Sequence, residues 1–362
     1  MVLKTFGGSL AITAAGLLLA FWYGGTLGLA VVAVLAVLEI SLSFDNAVVN
    51  AGVLARMNRK WQRLFLTVGI LVAVVGMRLL FPVVVVCLTA KLSPVEAYHL
   101  AMAGGDIHTP GTYASVLHEA HPAIAAFGGV FLLMLFLNYI FEERELTWLS
   151  WLERPLARIG RLKQISVVVA AGALLLTADF LAPAGKPVSV LVSGALGLIT
   201  YLLVSGLSEL FEPDEAGGRG GRPVAVAGKA AFLLFLYLEV MDASFSFDGV
   251  VGAFAITSDP VVIAIGLGIG AAYIRALTVF LVRNGTLNEY AYLEHGAQWA
   301  IGALAVLLLC TIRYDVPEIV TGLVGVGFIG TALLSSVVRN RRLSRTRPAA
   351  AELGTPRLTS AH

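Results

Sequence analysis

The chain has 362 residues, of which 58% are hydrophobic and 13% charged, with a formal net charge of +2 at pH 7. A soluble globule carries about a quarter charged residues, so that class is excluded, and so small a net charge gives no reason to expect a nucleic-acid partner. Several apolar windows exceed the roughly 20 residues needed to cross a bilayer, and the predicted class is an all-α, polytopic helical membrane protein.

A first apolar helix is predicted over residues 6–23. Only Lys4 precedes it and no small-residue cleavage site follows, so it is expected to be retained and not removed as a signal peptide. Gly24-Gly25 turns the chain into a second apolar run over 27–54, which ends at the basic loop of Arg56, Arg59, Lys60 and Arg63. A third run covers 64–86 and carries Arg78. The polar stretch 89–121 holds His99, His108, His118 and His121. Their spacings match no closed metal site, and a solvated external loop is the simpler expectation.

A fourth run covers 122–141. The loop after it mixes Arg144, Arg154, Arg158, Arg161 and Lys163 with Glu142, Glu143, Glu145 and Glu153. Runs over 165–181 and 188–211 are joined by a Pro- and Gly-containing turn at 183–187. The Gly- and Arg-rich stretch 212–229 reads as a flexible linker. Further runs are predicted over 230–256, 260–282, 297–311 and 318–338. Lys and Arg concentrate in cytoplasmic loops, and putting every basic loop on that side gives ten spans with both termini inside. The implied divisions are an N-terminal helix (1–26), a first half (27–211), the linker (212–229), a second half (230–338) and a basic tail without fixed structure (339–362). Cys87 and Cys310 lie in apolar surroundings and read as unpaired thiols.

Two stretches interrupt this apolar background. The first contains Glu39, Ser43, Phe44, Asp45 and Asn46; the second contains Glu239, Asp242, Ser246, Phe247 and Asp248. Aligning Ser43-Phe44-Asp45 with Ser246-Phe247-Asp248 also aligns Glu39 with Asp242. An acid at mid-bilayer costs roughly 2.5–3.5 kcal/mol and marks a functional site by default. In the predicted topology the copies run in opposite directions, the signature of an inverted repeat with its site near the midplane. Glu39 and Asp242 fall near the centre, with Asp45 and Asp248 about 9 Å to either side. Six residues of helix turn through about 600°, so each pair diverges by about 120°. Either the helix unwinds at Ser-Phe-Asp or the acids serve successive positions. Depth alone sets Arg78 toward Asp248 and Arg275 toward Asp45, as gate pairs.

Carboxylate, hydroxyl and amide oxygens without thiols suit magnesium, calcium or manganese. The expected metal ligands are Glu39, Asp45, Asn46, Asp242 and Asp248. Ser43, Glu239, Ser246, Arg78 and Arg275 are further ligand or gate residues. The competing reading is structural, with each acid paired to Arg78 or Arg275 or held protonated between helices. Under the cation reading, Glu39→Gln and Asp242→Asn are expected to spare the fold and abolish transport. An enzyme is not expected, because no nucleotide-binding loop, nucleophile elbow or intramembrane aspartyl-protease pair is present. No organic cofactor is implied.

The stretch Glu39…Leu42-Ser43-Phe44-Asp45-Asn46-Ala47, with Asp242…Phe245-Ser246-Phe247-Asp248, resembles the paired signatures of the TerC family in the wider LysE-like transporter superfamily. The run Tyr292-Leu293-Glu294-His295-Gly296 is similar to that family's segment before its last core helices. Phe127-Gly128-Gly129-Val130-Phe131-Leu132-Leu133-Met134, followed by Glu142-Glu143, resembles the branch called domain of unknown function 475. One departure is clear: Asp248 is followed by Gly249-Val250-Val251-Gly252, where the family usually continues Ser-Ile-Pro-Ala. The resemblance implies a multi-pass cell-membrane protein that exports a divalent cation, manganese first, as its substrate. The alternative it implies is a non-transporting membrane partner in a metal or tellurite stress-response complex. Membrane lipids, the cation and homo-oligomer or stress-complex subunits are the expected partners.

Overall fold

The computed structural model describes residues 2–105, 107–144, 146–162, 164–210, 228–257 and 259–352. All but the last two positions of the 212–229 linker lie outside the described residues, as do Asp106, Glu145 and Lys163. Among the described residues every regular element is helical and there is no strand. In order these are α1 (Val2–Leu42), α2 (Phe44–Ala55) and α3 (Arg59–Leu71), which runs through a π-helical stretch (Val72–Leu80) into α4 (Phe81–Ala90). Then come α5 (Pro94–Ala103), α6 (Tyr113–Phe141), α7 (Ser150–Ile159) and α8 (Ile165–Leu176), which ends in a π-helical turn (Thr177–Leu181). The rest are α9 (Pro187–Leu210), α10 (Gly228–Ile256), α11 (Pro260–Arg283), α12 (Thr286–Glu289), α13 (Leu293–Cys310) and α14 (Glu318–Glu352). Seven helical stretches among the described residues are long and apolar enough to cross a membrane: α1, the α3–α4 unit, α6, α9, α11, α13 and α14. This is the architecture of a multi-pass membrane protein.

Local chemistry fixes the helix starts. Asn58 accepts from Lys60 N and Trp61 N at 3.0 and 3.1 Å, and Asp259 accepts from Val261 N and Val262 N at 2.9 and 3.3 Å ahead of Pro260. Each satisfies amides that a helix start would otherwise leave open. Ser93 and Glu96 form a reciprocal capping box for α5, inside the stretch read from sequence as a loop. α6 likewise begins at Tyr113 and runs straight through Pro122. Proline costs about 3 kcal/mol in a helix interior, which is why the sequence pattern stops there. Upstream of it Thr112 caps the helix, and Tyr113, Ala114 and Leu117 are buried, so packing outweighs the proline. α14 also extends past the predicted end of its span, through Arg339, Arg341 and Arg342. Arginine is a good helix former, and nothing in that run breaks the pattern.

α1 is bent back on itself. Gly25 has φ 61° and ψ −150°, a region that favours glycine, and a Cβ on Gly28 would stand 2.9 Å from the Ala20 carbonyl oxygen. Eight residues of straight helix span about 12 Å, so the chain reverses at Gly25. α11 registers the reversal. Before Gly25, Ser9 Oγ donates to Ala272 O (2.9 Å) and Gly16 packs on Ile265 and Ile269; after it, Leu35 meets Gly266 and Glu39 meets Gly270. Contact numbers fall along α11 in the first limb and rise in the second, so the limbs are antiparallel.

α6 is the central post. Its Val130, Phe131 and Leu132 are fully buried, and it packs against α9, α10 and α13. The Phe127–Met134 run singled out in the sequence thus forms the middle of the bundle. α1, α9 and α14 instead leave most of their apolar surface uncovered, including Leu18, Trp22, Leu196 and Leu334. Lipid chains would cover such faces at no cost in water exposure. Both cysteines are free thiols.

α7 is tied to the first turns of α13 through the buried Glu153. Burial disfavours its charged form, but the His295 imidazole, the Trp299 Nε1–H (3.1 Å) and the Leu149 N–H (3.2 Å) outweigh this and hold its carboxyl down at about 2. Such a depressed carboxyl stabilises the fold fully above its unfolded value near 4.5, and this contribution is lost as pH falls through about 2. Thermal unfolding of the detergent-purified protein between pH 6 and pH 2 (about the two limits of the titration) is expected to show that loss, with Glu153→Gln flat across the same window.

Candidate functional site

The first motif lies where α1 gives way to α2. Ser43, at φ −96° and ψ 14°, interrupts the helix for one residue, and its Oγ donates to Glu39 Oε1 at 3.3 Å. The second motif sits inside α10, which is continuous. The two copies therefore differ: the helix breaks at Ser-Phe-Asp in the first and not in the second.

Glu39 is buried and pairs with Arg78 Nη2. Arg78 belongs to the π-helical stretch, a wide winding common at functional sites, and its Nη1 donates to Ala73 O at 2.7 Å. Glu39 also presses on α11: a Cβ on Gly270 would fall 2.3 Å from Glu39 Cγ. Only glycine leaves that space. Gly270→Ala is expected to push Glu39 away from Arg78 and cost about 1–3 kcal/mol, as overpacking does. Thermal unfolding checks this against Gly172→Ala, whose added Cβ meets nothing within 4 Å.

In the second cluster Arg275 reaches two acids at once. Its Nη1 donates to Glu239 Oε1 (2.8 Å), and its Nη2 to Glu239 Oε2 (3.0 Å) and Asp242 Oδ2 (2.9 Å). Such a two-pronged guanidinium–carboxylate fit is stronger and more directional than a single bond. The Phe65 ring lies 4.1 Å from the Arg275 Cζ, and Gly69 makes room, since a Cβ there would stand 2.5 Å from Nη1.

The two motifs meet directly. Asn46 Nδ2 donates to Asp242 Oδ1 at 2.6 Å, and a Cβ on Gly249 would stand 3.0 Å from Glu39 Oε2. Glu39 aligns with Asp242 and Asn46 with Gly249, so these are one contact seen from each copy. Position rises in one motif as it falls in the other, and the motif helices pass antiparallel. Where the first copy offers Asp242 an amide, the second offers Glu39 only a glycine. An apolar cavity of about 320 Å³ adjoins the pair, bordered by Met77 beside Arg78 and by Glu239.

The structure thus brings Asn46, Glu239, Asp242 and Arg275 into one cluster, and Glu39, Ser43 and Arg78 into the other. The side chains of Asp45, Ser246 and Asp248 lie outside the described residues. Arg78 pairs with Glu39, and Arg275 with Glu239 and Asp242, while the acids of the gate pairs expected from depth, Asp248 and Asp45, have side chains outside the described residues. Among the described residues no three His, Cys, Asp or Glu side chains are grouped as a metal site would need. Sequence reasoning missed Asn50, which is buried with no partner for its Oδ1. The signal was there, since Asn46 and Asn50 are four apart and share a helix face. Phe65, Gly69 and Gly270 carried no such signal.

Fold and site define a multi-pass helical membrane protein with buried acid–arginine clusters where two repeated motifs meet. The chain belongs to the family described as Protein of unknown function (DUF475), whose profile matches residues 44–343. No curated protein and no solved structure matches it.

Proposed function

We propose that the protein is a TerC-like secondary transporter of the LysE-like superfamily, exporting a divalent cation, manganese first, across the cell membrane. The observation that carries this is the paired contact between copies, Asn46 with Asp242 and Gly249 with Glu39. Side chains that could ligate a cation, Asn46 and Asp242, thus come from two antiparallel helices, an arrangement that inverted-repeat transporters use at their substrate sites. Counting the two limbs of α1 separately, and adding α8 and α10, gives ten spans, with both termini on the basic, cytoplasmic side.

In this reading the arginines are resident counter-charges. Buried carboxylates need a partner; Arg78 and Arg275 supply one, and an arriving cation takes their place. Asp45 and Asp248 then serve access from either side. The test is flux into proteoliposomes holding the purified protein, compared across manganese, calcium, magnesium and zinc. Manganese flux well above empty liposomes is expected. Folded protein that moves none of the four would end the transport reading. The ion pairs themselves favour the second reading, a non-transporting partner in a metal or tellurite stress complex, and that absence of flux is its expected outcome.

A further inference from the structure

Glu142-Glu143 and the Tyr292–Gly296 run take no part in the acid–arginine site, yet the fold brings them together. The end of α6, the loop after it, α7 and the start of α13 enclose a cavity of about 280 Å³, open on one side. Its wall carries Arg144, Arg154, Arg158 and Arg161 against Glu142, Glu143 and Glu153. The carboxylates are already engaged. Glu142 holds Arg144 at 2.7 Å, and Glu143 accepts from Arg161 Nε and Nη2 at 2.9 and 2.7 Å. Glu153 accepts from Trp148 N and Leu149 N as well as from Trp299 Nε1. Arg154 and Arg158 have no carboxylate partner among the described residues, and four residues apart on α7 they point the same way.

Two side chains in the same wall are buried with a polar atom that makes no hydrogen bond. Tyr139 is 7% exposed and its Oη has no hydrogen-bond partner; His295 is 5% exposed and its Nδ1 has none. His295 Nδ1 faces Glu153 Oε2 at 3.6 Å, near enough for the electrostatic contact that lowers the Glu153 carboxyl but too far for a hydrogen bond. Native interiors leave few such atoms unpaired, and each calls for a specific cause, such as a bound group. Here both border a cavity with surplus positive charge.

We propose that this cavity binds a phosphate group, with Arg154 and Arg158 carrying its charge and Tyr139 Oη donating to it. A phosphate offers acceptor oxygens to every donor in the wall, and two guanidinium groups match its two charges. A metal cation is a poor fit beside four guanidinium groups. One edge of α7 exposes Trp151 and Ile159, with Leu162 just beyond, an apolar border typical of a helix lying in the membrane interface. The cavity therefore opens at headgroup depth, where the phosphate belongs either to an anionic phospholipid or to a soluble phosphate compound.

The test uses the full chain and is independent of transport. Native mass spectrometry would score phosphatidylglycerol retained after exchange from phosphatidylglycerol/phosphatidylcholine nanodiscs into neutral detergent. Thermal unfolding would score inorganic phosphate. Wild-type protein is expected to bind at least one probe, and Arg154→Gln/Arg158→Gln to bind it about tenfold more weakly or worse. Both arginines are exposed, so this variant keeps the fold; Tyr139→Phe, which removes only the buried hydroxyl, is expected to weaken the same probe. Retention of the lipid without a response to phosphate assigns a headgroup, and a response to phosphate assigns a soluble ligand. Binding of neither probe, or binding unchanged in the double arginine variant, overturns the proposal.

Discussion

Replacing Arg275 by methionine is expected to leave little stable protein. Arg275 is buried and holds Glu239 by two bonds and Asp242 by a third. Methionine fills part of the space over Phe65 but leaves two carboxylates side by side without a cation. Removing one partner of a buried pair costs about 3–5 kcal/mol, because the remaining charge is stranded, and here two charges are stranded at once. The triple variant Arg275→Met/Glu239→Gln/Asp242→Asn removes all three charges and is expected to recover most of that loss. Thermal unfolding and the monodisperse fraction in detergent measure both. Equal damage in the single and triple variants would show that the arginine's packing, not its charge, holds the cluster.

Glu39→Gln and Asp242→Asn occupy equivalent positions and look alike by sequence, but their effects on stability should differ. Glu39 pairs with Arg78 in a buried contact, and removing one charge of such a pair costs roughly 3–5 kcal/mol. Asp242→Asn leaves Arg275 with both bonds to Glu239 and keeps an oxygen for Asn46 to donate to. Its stability should stay near wild type. The ion pair at Glu39 thus gives that amide a different expected outcome from the one read from sequence, in which both amides spare the fold. Both should still abolish manganese flux, since each removes a charge that would balance the dehydrated ion. The decisive sample is Asp242→Asn, because it stays folded. Wild-type flux in that variant would remove the cation site and favour the membrane-partner reading.

Much of this was legible before any coordinates. The apolar runs gave the helices, because in a bilayer every backbone group must be satisfied within its own segment, which ties helix positions to a local property of the chain. Gly24-Gly25 marked the reversal in α1 for a similar reason, since a reversal needs a backbone conformation that glycine adopts freely. The matching acids disclosed the repeat, and with it the buried positions that carry charge. The exceptions were local too. α6 passes Pro122, and α5 fills part of a stretch read as a loop, because burial and capping there outweigh a polar or helix-breaking composition.

What the sequence determined by itself is the class of protein, the course of its helices and the identity of its buried charges, since each depends on hydrophobicity and spacing along one segment. Only the tertiary structure decided the pairing. That Arg78 meets Glu39, and Arg275 meets Glu239 and Asp242, rests on which helices touch and where glycines at positions 69, 249 and 270 let side chains close in. The same holds for the cavity that joins Tyr139, Arg154, Arg158 and His295. Its residues lie more than 130 positions apart between α7 and α13, and no periodicity within one segment records a neighbour on another.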